Sequence, residues 1–307
     1  MLKLLKQTLT NFLDDRSQTM AAALAYYTAF SLPPLLVLLM LVLGKVMDPA
    51  DLRGNIETQL GMLMGSQGAE QVKGLLEQSE KPLAGGVLTG VISVLALLFG
   101  ATGVFGELQS SLNSAWKVAP DPKRGGWKQF ITKRVLSFTM IFAVAFLLLV
   151  SLVLSAMITA FGAVVSNMVD GGISTPLLYT LDLTLSFAIF TIVFMTIFKF
   201  VPDAEIGWHD VQVGAMGTAV FFLLGKFVIG FYLGRSNPGQ AYGAAGSLAI
   251  LLVWLYYSSM ILLFGAEFTK VHADARGRPI VPEKGAISTV KHGAPPGSVP
   301  RADQPKG

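Results

Sequence analysis

YGAAGSLAILLVWLYYSSMILLFGAEF, Tyr242 to Phe268, decides the fold class. Before Glu267 it carries no charge back to Arg235. A helix crosses a hydrocarbon core about 30 Å thick with about 20 apolar residues. Strands of a membrane barrel are about ten residues long and alternate, so a run of this length specifies a helix. Moving outward, comparable charge-poor runs lie between Arg16 and Lys45, Lys81 and Glu107, and Arg134 and Asp170. Two more are Asp170 to Lys199, interrupted by Asp182, and Asp210 to Arg235, interrupted by Lys226. They predict an all-α, polytopic membrane bundle of six transmembrane helices, at about 20–44, 83–106, 135–165, 176–199, 211–234 and 242–267. Pro33 and Pro34 predict a kink or break in the first.

Composition agrees. Of 307 residues, 52% are apolar without counting 32 glycines, and 14% are charged. Soluble domains carry roughly 25% charged residues, so this chain cannot cover a water-soluble surface. With no cysteine, it has no disulfide framework, thiolate metal site or cysteine nucleophile.

Lys and Arg set the orientation. With the N-terminus cytoplasmic, 17 fall inside, 5 outside and Lys226 within a span, which accounts for all 23. The expectation is both termini inside. Residues 2–13 place Leu2, Leu5, Leu9, Phe12 and Leu13 on one helical face, as in a short interfacial helix. The external loop, 46–82, has apolar residues at helical spacing and predicts two short amphipathic helices. The membrane domain is expected to cover 1–272. The segment 273–307, with six prolines, is expected to be a disordered cytoplasmic tail.

Ionisable groups inside spans are the informative positions, because a charge at mid-bilayer costs about 3 kcal/mol or more. Asp182 and Lys226 lie at matching depth with opposite sign. They are expected either to pair between the fourth and fifth helices or to line a pathway. Tyr179 and Ser186 share the face of Asp182. Glu107 and Glu267 end the second and sixth helices; a stripe through Gly243, Gly246, Tyr257 and Met260 leads to Glu267. Tyr26, Glu107, Tyr179, Ser186, Tyr257 and Glu267 are the candidate polar positions of the bundle. Gly86 and Gly90, Gly230 and Gly234, and Gly243 and Gly246 are candidate packing glycines.

Catalytic sets are not found. The three histidines, His209, His272 and His292, form no metal-ligand spacing, and no phosphate loop or nucleophile elbow occurs. No cofactor, metal site or catalytic residue is expected. Asp203, Glu205, His209 and Asp210 crowd one loop, which reads as solvated. The basic loop 117–134, with Trp116 and Trp127, reads as an anchor on anionic lipid rather than a nucleic-acid site. Partners are then the bilayer and, through the external loop or glycine seams, a second copy or an envelope protein.

Three segments resemble the YihY/BrkB family of bacterial inner-membrane proteins. They are AAALAYYTAFSLPPLL (Ala21 to Leu36), SLNSAWKV (Ser111 to Val118), and FKFVPDAEIGWHDVQVGA (Phe198 to Ala215) with Tyr242 to Phe268. Matching positions are Tyr26, Pro33, Trp116, Pro202, Gly243, Trp254, Tyr256, Gly265 and Glu267. The resemblance implies a six-helix bundle of unsettled activity and attaches no catalytic role to these residues. It also carries an old ribonuclease BN label, which the residues do not support. The leading expectation is transport or translocation of a solute, an ion or a lipid-linked substrate. The alternatives are an envelope scaffold and, behind it, a ribonuclease.

Overall fold

The computed structural model describes residues 2–43, 103–122, 174–236 and 246–289, with isolated positions at 48, 53–54, 57 and 73. Two expected spans, 83–106 (but for its last turn) and 135–165, and most of the 46–82 loop lie outside the described residues. So do the side chains at 33–43, 174–179, 182, 229–236 and 246–247.

The described elements are mostly helices. In chain order they are α1 (Leu2–Asp14), α2 (Ser17–Leu43), α3 (103–115), β1 (Val118–Pro120), α4 (Ser174–Phe200), β2 (Ala204–Glu205), α5 (Trp208–Ser236), α6 (Gly246–Ala275), β3 (Val281–Pro282) and β4 (Ala286–Ser288). Helices α4, α5 and α6 each hold a stretch long and apolar enough to cross a membrane: Leu183–Phe200, Trp208–Val228 and Leu248–Ala275.

Helix α5 shows why these stretches need a non-aqueous surround. Val211, Ala215, Thr218, Ala219 and Phe222 are buried on one side. Met216, Val220, Leu224, Phe227 and Val228 are exposed on the other. A helix that is apolar on both its packed and its open face belongs in lipid.

Helix α6 is the centre. Helices α1, α2 and α5 all pack on it, and α4 packs on α5. Helices α5 and α6 run antiparallel: Gly214 meets Thr269, Thr218 meets Gly265, and Gly225 meets Tyr257. Phe190 and Phe194 of α4 both pack on Phe222 of α5, with ring centroids 4.7 and 5.7 Å apart. Phe12 of α1 reaches Phe264 of α6 at 5.9 Å. The largest fully buried side chains include Phe198, Leu112, Leu263, Glu267 and Val271, with Trp116 2% exposed.

Three expectations change here. Helix α2 is not broken at Pro33 and Pro34; it runs unbroken from Ser17 to Leu43. The prolines cost only the donors to the carbonyls of Ala29 and Phe30, and a long helix survives that. In α1, Thr8 and Phe12 turn inward while Leu2, Leu9 and Leu13 stay exposed, so one edge of the short helix docks on the bundle. The chain after 273 is also not uniformly disordered. Helix α6 continues to Ala275 and closes at Gly277, where φ is +69°. Arg278 N donates to Ala273 O at 3.0 Å and Gly277 N to Asp274 O at 3.0 Å, a left-handed helix stop. Beyond it, β3 pairs antiparallel with β2 (Glu205 opposite Val281) and β4 with β1 (Ala119 opposite Ile287). Pro279 and Pro282 are accommodated because each two- or three-residue strand borrows its partner from a loop; the rest of the expected disordered tail, 290–307, lies outside the described residues.

Candidate functional site: a polar layer capping the bundle

One end of the bundle gathers the buried polar groups. The loop after α4 enters it first. Helix α4 stops ahead of Pro202, which cannot donate to a further turn. Lys199 in the last turn donates from Nζ to the carbonyl of Ile206 at 2.7 Å and sits 5.3 Å over the ring of Trp208. That contact folds the loop back on the helix end.

Asp203 then points into α3. Asn113 Nδ2 donates to its Oδ2 at 2.9 Å, Gln109 Nε2 to its Oδ1 at 3.1 Å, and the Asp203 backbone N–H donates to Asn113 Oδ1 at 2.8 Å. Asn113 and Asp203 are 5% and 6% exposed. The Asp203 carbonyl accepts from Glu283 N at 3.0 Å, so the C-terminal strands lock onto the same residue. Beside this knot lies an open groove of about 500 Å³, with Gln109, Ser110, Asn113, Ser114 and Thr289 in its wall.

Asp210 is the second buried acid. It stands in the first turn of α5, where the helix dipole favours negative charge. It is 1% exposed and neither oxygen has a hydrogen-bond partner among the described residues; Arg278 Nη1 approaches Oδ2 at 4.0 Å. Next to it, Arg276 Nη1 lies 3.0 Å from His209 Nδ1. The expectation of a solvated Asp203–Asp210 loop is therefore overturned at both of its aspartates. Sequence spacing could not show that α3 and the segment after Gly277 would cover them.

Glu267 is the third. It is 0% exposed, on the central helix, and neither oxygen has a hydrogen-bond partner among the described residues. Asp15, just after α1, Lys117 and Lys270 are the charged groups in its surroundings. Lys117 Nζ forms an ion pair and hydrogen bond with Asp15 Oδ1. Lys117 holds a left-handed backbone, φ 59°, which costs a non-glycine residue about 1 kcal/mol or more. Its carbonyl accepts from Thr289 N at 2.8 Å, and the neighbouring Trp116 Nε1 donates to the Ala266 carbonyl at 2.9 Å. The left-handed turn thus has three anchors, at Asp15 just after α1, on α6, and at Thr289 just after β4.

The remaining sequence candidates are distributed as follows. Glu107 is half-buried on α3 and accepts from Ser111 Oγ at 3.5 Å. Tyr257 is half-buried, with its ring over Gly225. Ser186 is half-buried on α4. Tyr26 is not a bundle-interior position: it is 55% exposed and packs on Phe30 at 4.6 Å along its own helix. Tyr179 and Asp182 are on α4, but their side chains lie outside the described residues. Lys226 is half-buried and lines a small recess with Phe222, Trp254, Tyr257 and Ser258. Gly230, Gly234 and Gly246 are on α5 and α6, with surroundings outside the description; Gly86, Gly90 and Gly243 are outside it altogether. The close helix approaches that are described occur instead at Gly103, Gly214, Gly225 and Gly265. The readable signal was Gly-x-x-x-Thr, present in both α5 (Gly214, Thr218) and α6 (Gly265, Thr269).

Known proteins share most of this chain. A UPF0761 membrane protein of Stenotrophomonas maltophilia is 28% identical over 273 residues, covering 88% of this chain and 60% of that protein. The ribonuclease-like protein YfkH of Bacillus subtilis is 23% identical over 266 residues, 86% of this chain and 92% of its own. A UPF0761 membrane protein of Psychromonas ingrahamii is 26% identical over 262 residues, 83% and 82% respectively. The chain thus spans about 60% of the length of some relatives and most of the length of others. No solved structure matches. The family model for Virulence factor BrkB matches residues 8–287, from α1 through the β1–β4 pairing, and the chain belongs to that family of membrane proteins.

Proposed function

We propose that this is a non-catalytic inner-membrane protein that transports or translocates a solute, an ion or a lipid-linked substrate. The observation that carries the reading is Glu267. A carboxylate with no exposed surface and no donor among the described residues, on the central helix of a membrane bundle, is costly to keep and marks a functional position more often than a structural one. In this reading the six spans have both termini inside. The polar layer faces the cytoplasm, and 117–134 rests on anionic lipid. Asp182 and Lys226 bridge α4 and α5. Continuing the register of Phe190 on Phe222 puts Lys226 level with Ser186, one turn from Asp182, about 6 Å along the axis. A lysine side chain covers that distance.

The test is reconstitution of the purified protein in liposomes. Movement of a loaded ion, solute or lipid-linked molecule that Glu267→Gln abolishes is the expected result. No movement of any of them by well-folded protein rejects it.

A scaffold role is the second reading. The α5–α6 seam supports it, because threonine hydroxyls fill the space over the facing glycines and close that interface to a pathway. A stable envelope partner recovered with inactive protein would favour it. The ribonuclease-like name of YfkH belongs to that protein; here, intact tRNA precursors after incubation with pure, metal-supplemented protein are expected.

A further inference from the structure

We propose that α1 is a lipid-binding arm. Leu2, Leu9 and Leu13 seat among the acyl chains of the leaflet at the polar end of the bundle. Lys3 and Lys6 beside them bind the phosphates of anionic lipid headgroups. The arm is independent of the transport reading and stands whether or not the protein moves a substrate.

The helix carries three separate strips. At 3.6 residues per turn, Leu2, Leu9 and Leu13 fall within an arc of about 40°. They are 86%, 51% and 52% exposed. The docked edge, Thr8 and Phe12, lies about 100° round the helix from them. Beyond the leucines, in the same sense of rotation, come Lys6 and then Lys3, both exposed. The bundle already occupies one edge, so the leucine strip is a second apolar surface that needs an occupant from outside the fold.

The level of the strip identifies that occupant. Phe12 meets Phe264 of α6 at 5.9 Å, and Phe221 of α5 meets the same ring at 5.6 Å. Helices α1 and α5 therefore flank one turn of α6. At this level α5 exposes Val220, Phe221 and Leu224, the face that belongs in lipid. Leu9 and Leu13 neighbour Phe12 and continue that apolar surface at the same depth.

Charge supplies the headgroup. Lys3 stands in the first turn of α1 and Lys6 in the second, toward the helix end where the dipole disfavours cations. Among the described residues neither is in an ion pair. They serve neither the helix nor the bundle, and an anion outside the chain complements both. Lysine stems run along apolar surface and deliver the ammonium to the phosphate level, where anionic lipid attracts it.

Arg16 sets the direction of the arm. It is left-handed, φ 54°, and separates α1 from α2. Its N–H donates to the Leu13 carbonyl at 3.1 Å, and its own carbonyl accepts from Thr19 N at 2.9 Å. A non-glycine residue takes this conformation at a cost. The break lets α1 leave the axis of α2 and lie against α6.

Nitroxide labels on single cysteines test the arm in the full chain, which has no cysteine of its own. In vesicles of phosphatidylglycerol and phosphatidylcholine, labels at Leu9→Cys and Leu13→Cys should meet oxygen more than a water-soluble nickel chelate. A label at Gln7→Cys, exposed on another side of α1, should show the reverse. In phosphatidylcholine alone, a label at Leu2→Cys should lose oxygen contact and gain chelate contact. Combining it with Lys3→Gln and Lys6→Gln should abolish that dependence on lipid charge. Chelate contact exceeding oxygen contact at Leu9→Cys and Leu13→Cys overturns the proposal. So does spin–spin broadening there that dilution with unlabelled protein removes, since it assigns the face to a second copy. A Leu2→Cys label indifferent to lipid charge, with both lysines present, overturns the headgroup site.

Discussion

Thr218 lies directly over Gly265: its hydroxyl occupies the space where a β-carbon on that glycine would go. Thr269 does the same over Gly214, so the relationship is reciprocal across the antiparallel α5–α6 pair. Each hydroxyl donates to the carbonyl of the glycine four residues earlier on its own helix, at 2.7 Å in both cases. The threonines therefore leave no unsatisfied group at the contact, and the backbones approach closely.

Gly265→Ala and Gly214→Ala should each destabilise the bundle by about 1–3 kcal/mol through overpacking. Thermal unfolding in detergent measures this. Pairing Gly265→Ala with Thr218→Ser, or with Thr218→Ala, should recover part of the loss, since it removes atoms the new methyl meets. Equal stability of Gly265→Ala and wild type would mean the seam is looser than described.

Asn113→Ala should cost about 1–3 kcal/mol, because it strips a donor from the Asp203 carboxylate and an acceptor from its backbone N–H. Asn113→Asp should be worse, placing two carboxylates together. The exchange Asn113→Asp with Asp203→Asn restores complementary groups and should recover stability relative to Asn113→Asp alone. Chemical unfolding of the three variants decides it.

Ending the chain at Gly277 removes β3, β4 and the Thr289 bond to Lys117. Amide exchange at Val118, Ala119, Ala204 and Glu205 should rise by on the order of tenfold or more, while the middle of α6 should not change. Ending the chain after Thr289 should leave all of these rates as in the full-length protein.

The proposed topology is checked with single cysteines, which is direct because the chain has none. Lys284→Cys and Asp121→Cys should react with a membrane-impermeant thiol reagent only from the cytoplasmic side. Asn237→Cys should react only from the other. Labelling of Lys284→Cys and Asn237→Cys from one side would sink the arrangement.

The Asp182–Lys226 bridge is tested by exchange of charge. Asp182→Lys and Lys226→Glu should each lower yield and melting temperature, and the double exchange should recover much of both. A double variant no better than either single would show that the two do not interact.

The sequence by itself determined the membrane class and the approximate limits of the helices within the description. Ser17–Leu43, Ser174–Phe200, Trp208–Ser236 and Gly246–Ala275 fall within a few residues of the charge-free runs, except that α6 passes Glu267 by two turns. Those limits are legible because hydropathy is a property of contiguous residues. It also singled out Glu267, since an acid at the end of an apolar run is conspicuous in one dimension. Tertiary structure alone decided which acids are buried. Asp203 and Asp210 read as a solvated loop until α3, 90 residues earlier, and the chain beyond Gly277 are seen to cover them. It decided the helix seam as well, because Gly-x-x-x-Thr becomes a close contact only when a second such motif arrives antiparallel and in register. Tyr26 marks the same limit from the other side: which face of α2 meets α6 depends on helix rotation, and hydropathy that is apolar all round carries no rotational signal. Burial and pairing across a bundle are properties of residues distant in the chain, and only the folded arrangement of α1, α3, α5 and α6 brings Asp15, Lys117 and Glu267 into one layer.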